Sequence, residues 1–149
     1  MKPAQKMHVG SVTKSVLAMG VLHLIFEERL TLDTNVESLL SELNFDNAWS
    51  DRSPIKVKNL LDHTSGLDNI RMWQLLSTKP LPNTPLEEAF ESSQHNLLKI
   101  RTEPGTQYSY SNMGYTLLAM VIEAVTNERY EYFLDVNLLT PLEMHDSSF

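Results

Sequence analysis

One stretch, residues 11–28, constrains the fold more than any other part of the sequence. Its spacing predicts a helix on which Val12, Val16, Leu17, Val21, Leu22, Leu24, Ile25 and Phe26 cover most of the circumference. A helix that is apolar on nearly every side needs cover all round, so this one belongs inside a larger packing unit. The apolar run 16–26, interrupted by Gly20 and His23, is shorter than the roughly 20 residues of a membrane span. It also starts too deep in the chain, behind the wrong flank, for an ordinary signal peptide. Any export signal would lie upstream.

Composition narrows the function classes. The chain has 149 residues, 42% hydrophobic and 21% charged, which suits one globular domain. Its net charge of −7 and the absence of any Lys/Arg run give no nucleic-acid footprint. With no cysteine there is no disulfide and no thiolate metal site. The five histidines (His8, His23, His63, His95, His145) show no paired ligand spacing, so neither a metal nor another cofactor is expected. His23, on the apolar helix, reads as a hydrogen-bonded core residue.

The rest of the chain is mostly helical in pattern, without repeats or internal domain boundary. A second short helix is expected over residues 33–43, and Ser53-Pro54 marks a break after it. A short element over residues 56–61 stops near Ser65-Gly66, with Gly66 a candidate left-handed cap. Pro80, Pro82 and Pro85 punctuate a loop. Thr84-Pro85-Leu86-Glu87 resembles a capping box, and Leu86, Phe90 and Leu97 continue it at helical spacing. Glu103-Pro104-Gly105 is a turn. Residues 114–126 form an amphipathic helix with Leu117, Leu118, Val121, Ile122 and Val125 inward, and a last helix runs over residues 128–139, before Pro141. Strand signals are confined to residues 7–9 and 55–57.

Chemistry enters with Ser11-Val12-Thr13-Lys14. Positions i and i+3 share a helix face, so the amine can reach the hydroxyl. A serine needs a base to become a nucleophile, and a lysine can serve when burial or a nearby cation lowers its pKa. A helix start also favours the negative charge of an oxyanion. The pattern alone is weak: with 14 serines and 7 lysines in 149 residues, 14 × 7 / 149 gives on the order of one such pair by chance. Ser53-Pro54-Ile55-Lys56 is a second instance, but the proline breaks the turn that would join its ends, and Ser53 reads as a turn or cap residue. The plain alternative for Ser11 is an N-cap. Tyr110-Ser111-Asn112 comes after a turn and precedes a helix; a tyrosine hydroxyl can relay a proton, and an asparagine amide can hold a substrate carbonyl or the lysine. Its plain alternative is a turn tyrosine with an N-cap asparagine.

The order Gly10-Ser11-Val12-Thr13-Lys14-Ser15, Leu60-Leu61-Asp62-His63-Thr64-Ser65-Gly66-Leu67, Pro104-Gly105, Tyr110-Ser111-Asn112-Met113-Gly114-Tyr115 and Pro141-Leu142-Glu143-Met144 resembles the serine β-lactamase family. The branch is that of class C β-lactamases, DD-peptidases and related esterases, and the likeness covers nearly the whole chain from Gly10 on. The resemblance implies a mostly α piece: the helical subdomain of the β-lactamase/transpeptidase-like α/β fold, with most of the antiparallel sheet missing. Residues 1–149 are then a single partial domain. It implies Ser11 as the acylated nucleophile, Lys14 as its base, Tyr110 as a proton shuttle that helps to activate the deacylating water, and Asn112 as a contact to substrate or lysine. The Leu60-to-Leu67 signature is structural by the same resemblance. His63 and Ser65 are two apart without a Gly-x-Ser-x-Gly elbow, which speaks against a triad there.

The family's third motif, Lys/His-x-Gly on a later strand, is not within these residues, and neither is the second oxyanion donor that strand supplies. Two readings are open. One is a serine hydrolase acting through an acyl-enzyme on a β-lactam, a peptide amide or an ester. The other is a non-catalytic truncated module that binds a ligand or partner. Expected partners are a small-molecule or peptide substrate and either the remainder of the domain beyond residue 149 or a second copy, with no nucleic acid and no membrane span. The compartment would be periplasmic or secreted with an upstream signal and cytoplasmic otherwise. The apolar first helix predicts an exposed apolar surface where a sheet would pack.

Overall fold

The computed structural model of the chain describes residues 7–70, 84–91 and 96–149. A 3₁₀ turn, Gly10–Val12, leads into α1 (Thr13–Phe26). Then come α2 (Val36–Leu39), α3 (Val57–Leu61), α4 (Glu88–Glu91), α5 (Asn112–Thr126) and α6 (Tyr130–Leu134); α6 continues into a π-helical turn, Asp135–Leu139. Among the described residues there is no strand, only isolated bridges that pair Asn35 with Lys56, Asp46 with Lys99 and Leu67 with Ile100. Among the described residues the fold is mostly helical.

The centre of the molecule is α5, packed against α1, α3 and α6. It is two residues longer at its start than its apolar pattern suggests, because Ser111 caps it: the Ser111 hydroxyl accepts the Gly114 N–H at 3.3 Å. Met113, Leu117, Leu118, Val121 and Ile122 are buried in the core with Leu24, Val36, Ile55, Leu60 and Leu134. Each such side chain contributes roughly 1.5–3 kcal/mol when fully removed from water. Where α1 meets α6, a Cβ at Gly20 would overlap a methyl of Leu134, which would have to shift to make room.

α1 differs from its expectation in extent and in burial. It stops at Phe26 because Glu28 adopts a left-handed φ of 60°. Glu28 N–H then reaches Ile25 O and Arg29 N–H reaches Leu24 O, both at 3.0 Å, which closes the helix in a Schellman motif without glycine. The helix buries Leu17, Gly20, Val21 and Leu24, whereas Val12, Met19, Leu22 and Phe26 form an exposed stripe on another side. It is therefore apolar all round but covered on one side only. His23 is half-buried, not core, and pairs with Glu27 at 3.3 Å.

Other boundaries shift for local reasons. α2 is only four residues long, since Leu40 leaves helical geometry (φ −108°, ψ 52°). The residues 55–57 form no strand: Val36 N–H takes Ile55 O at 2.8 Å, the bridge ends at Lys56, and α3 begins at Val57. Residues 7–9 likewise carry no strand pairing. Gly66 is left-handed (φ 75°), yet the left-handed residue closing α3 is His63 (φ 61°), with Thr64 N–H on Asn59 O at 2.8 Å. Gly66 is instead needed because a Cβ there would strike the Thr102 carbonyl. Gly105 (φ 85°) completes the expected turn, and Thr106 N–H returns to Glu103 O at 3.2 Å. α4 starts at Glu88, and Leu97 lies in a separate buried turn. Pro80 and Pro82 lie outside the described residues.

Candidate active site

The starts of α1 and α5 meet. Gly10, at φ 55°, turns the chain into the 3₁₀ segment that carries Ser11, and Lys14 comes one turn later. Ser11 is not a cap: Val9 and Val12 occupy the cap positions, and neither side chain caps. Its hydroxyl points elsewhere. Ser11 Oγ lies 2.8 Å from Tyr110 Oη, and Lys14 Nζ donates to Ser11 Oγ at 3.3 Å and to Asn112 Oδ1 at 2.6 Å. The four residues singled out in the sequence are thus brought into one hydrogen-bonded chain.

The α5 side of this arrangement is heavily pinned. Ser111, only 1% exposed, donates to Asp68 O at 2.9 Å while capping the helix. Asn112 is not the cap; its N–H donates to Asn69 Oδ1 at 2.9 Å, and its own amide is left for Lys14. Tyr115 donates from Oη to Leu61 O at 3.1 Å. Lys14 Nζ lies over the rings of Tyr110 and Tyr115, 5.1 and 5.7 Å from their centroids. The Lys14 ammonium first, and then the Ser11 hydroxyl, hold the Tyr110 phenol below its ordinary pKa of 10.0. Burial chiefly, with the neighbouring Tyr110 and Asp62, pushes Tyr115 the other way. The two phenols are thus shifted in opposite directions.

Lys14 and Asn112 also line a cleft of about 260 Å³ whose remaining walls are mainly apolar, among them Leu17, Ala119, Tyr130 and Phe149.

The Beta-lactamase family model matches residues 1–149. The chain belongs to that family. This Beta-lactamase-family chain is 29% identical over 148 residues to Protein flp of Staphylococcus aureus, covering 99% of the chain and 28% of flp. It is similar in structure to the octameric penicillin-binding protein homologue of Pyrococcus abyssi (29% identity, TM-score 0.74, 91% of this chain and 31% of that one). It is also similar to the D-amino acid amidase of Ochrobactrum anthropi SV3 (26% identity, TM-score 0.78, 97% and 38%). The chain spans less than a third of flp's length.

The competing Ser-x-x-Lys pair of this Beta-lactamase-family chain is engaged elsewhere. Ser53 donates to Glu103 Oε1 at 2.7 Å, and Lys56 Nζ goes to Asp33 at 3.1 Å, so that pair does not assemble. Ser65 is buried and accepts the Leu67 N–H at 3.4 Å. Among the described residues no group of three or more His, Cys, Asp or Glu is placed to hold a metal ion, and no helix is long and apolar enough to cross a membrane. Sequence reasoning overlooked Asp68, whose carbonyl accepts the Ser111 hydroxyl, and Asn69, whose Oδ1 accepts the Asn112 N–H, each from 43 residues away. No local pattern signals such a contact.

Proposed function

We propose that the full-length protein is a serine hydrolase that works through an acyl-enzyme on an amide, an ester or a β-lactam. The observation that carries this reading is the 2.8 Å contact between Ser11 Oγ and Tyr110 Oη, with Lys14 Nζ 3.3 Å from the same oxygen. Ser11 Oγ attacks the substrate carbonyl carbon while its proton passes to the Tyr110–Lys14 pair. The carbonyl oxygen becomes an oxyanion beside the start of α1, where backbone N–H groups lack intrahelical partners. The leaving nitrogen or oxygen then takes the proton and departs. Water attacks the resulting ester and gives a proton to Tyr110; the acyl–Oγ bond then breaks, Tyr110 passes that proton to Ser11 Oγ, and the acid departs. Asn112, bonded to Lys14, steers the ammonium and can meet the substrate amide.

The amide-cleaving name of one structural neighbour and the penicillin-binding name of another support substrates with an amide or lactam bond. The cleft beside Lys14 supports an apolar group on the acyl side. The exposed stripe Val12-Met19-Leu22-Phe26 supports a further layer of the domain, or a second copy, packing on α1. Residues 1–149 are on this reading one partial domain.

Intact-mass measurement of the full-length protein after incubation with a penicillin and with a nitrophenyl ester tests it. The expected result is a single acyl adduct that Ser11→Ala abolishes. An adduct that persists in Ser11→Ala moves the nucleophile elsewhere. Protein with neither adduct nor turnover favours the non-catalytic, ligand-binding reading.

A further inference from the structure

His63 lies in the segment between α3 and Leu67 that shows no chemistry of its own, yet it grips Tyr110 from both sides along the backbone. Its carbonyl oxygen accepts the Ser109 N–H at 2.8 Å, and its Nδ1 accepts the Ser111 N–H at 3.3 Å. Those two amides flank Tyr110. The imidazole itself lies against the Tyr110 ring, centroids 4.5 Å apart and planes tilted by 38°, with Tyr115 at 5.2 Å and Tyr108 edge-on at 5.8 Å. The left-handed φ of 61° lets one residue present carbonyl and ring to the same loop; histidine and asparagine enter that region more readily than most residues.

We propose that His63 is a positioning residue for Tyr110: its carbonyl, its bare Nδ1 and its ring together set the phenol oxygen on Ser11 Oγ. The inference rests on the serine-hydrolase reading for its consequence in catalysis but not for its test. A backbone N–H can only donate, so Nδ1 must be unprotonated to accept from Ser111. The groups facing the imidazole favour this form. Burial first, and then the Lys14 ammonium on α1, hold its pKa below the ordinary 6.5, opposed by Asp62 at the end of α3. The remaining titratable neighbours are Tyr108 and Tyr110 in the loop before α5 and Tyr115 on α5. Protonating His63 would remove the acceptor and place a second cation beside Lys14, loosening Tyr110 from Ser11.

The test reads the Tyr110 phenol directly, by NMR titration of the full chain carrying ¹³C-labelled tyrosine. The unmodified chain should show a Tyr110 midpoint below 10.0. His63→Phe keeps a ring and removes the Nδ1 acceptor, so the midpoint should rise toward 10.0. His63→Asn keeps an acceptor and the left-handed backbone, so its rise should be smaller. A Tyr110 midpoint at 10.0 in the unmodified chain, or one that neither variant moves, overturns the proposal. Should the variants lose their helical circular dichroism, the unmodified chain still decides: the Ser111 amide signal should shift with the midpoint of His63, and an amide that ignores that titration overturns it. Because none of these signals needs a substrate, a moved Tyr110 midpoint in a protein that never acylates Ser11 would sink the hydrolase reading and leave this one standing.

Discussion

α1 and α5 are the two long apolar helices among the described residues, and each brings half of the candidate site, one residue from the segment just before the helix and one from its first turn. They are held in different ways. The start of α5 is fixed by a buried cap, by Asn69, by Asp68 and by the α3–Leu67 segment. The start of α1 has no side-chain cap, and the Ser11 and Val12 side chains beside it are exposed. Its polar ties to the rest of the site are the bonds of Ser11 and Lys14. The same asymmetry runs along the helices, since α5 buries eight of its residues and α1 four. The start of α5 is thus held by more polar contacts, and by more buried residues along the helix, than the start of α1.

The sharpest way to break that comparison is at the polar contact between the two helix starts. Lys14→Ala and Tyr110→Phe should each slow acylation of the full-length protein by about 10²–10⁴-fold, the usual worth of a positioned acid or base. Folding should survive in both, because Tyr110→Phe removes only a hydroxyl and Lys14 is not part of the apolar core. Stopped-flow acylation with a nitrophenyl ester reads the loss. The pH profile sharpens it. With the phenol held below 10.0, the proton-accepting form grows as pH climbs through that lowered midpoint, so the rate should rise there. In Tyr110→Phe that limb should vanish. A limb that persists unchanged would assign the proton to Lys14 alone.

Stability should split between the helices in the same sense. Leu118→Ala, in the fully buried face of α5, should cost about 2–5 kcal/mol in denaturant unfolding, the range for leucine cavities. Leu22→Ala, on the exposed stripe of α1 at 52% exposure, should stay within about 0.5 kcal/mol in the isolated chain. Equal losses would mean that the stripe is covered in solution. Ser111→Ala should fall between them, at about 0.5–2 kcal/mol for a lost N-cap. It should also reduce acylation, since the Ser111 hydroxyl would no longer tie the start of α5, between Tyr110 and Asn112, to the Asp68 carbonyl.

How far these features could be read from the sequence depended on their range. The helical spacing of Ser11 and Lys14 and the apolar face of α5 are local and periodic, and both were readable. The Tyr110 contact bridges 99 positions, and only the family resemblance linked its two ends. The plain alternative of a cap fails at both helix starts, where serine and asparagine suit caps and sites alike: Ser111 is the cap of α5, and Ser11 and Asn112 have other partners. The ends of α1 and α3 turn on left-handed Glu28 and His63, residues that carry no glycine signal. α2 lost its predicted length to Leu40, whose departure from helical geometry is not written in its side chain. The burial of α1 was overestimated because an all-round apolar pattern states what a helix needs, not what covers it.

The smallest effect expected on folding is also the most telling about that cover. Phe26 is 87% exposed at the end of the α1 stripe, so Phe26→Ser should change the unfolding free energy of the isolated chain by no more than about 0.5 kcal/mol. An aromatic ring in water nonetheless favours association, and with Leu22, Met19 and Val12 it belongs to a contiguous apolar face. The substitution should therefore shift the isolated chain toward monomer in analytical ultracentrifugation while leaving its melting curve in place. In the full-length protein, with the proposed further layer packed on this face, the same change should cost about 3 kcal/mol or more, as buried phenylalanine truncations do. A monodisperse isolated chain that Phe26→Ser does not alter, together with a full-length protein equally indifferent to it, would show that the stripe packs against nothing. The smaller number of buried residues in α1 would then belong to the helix as it stands.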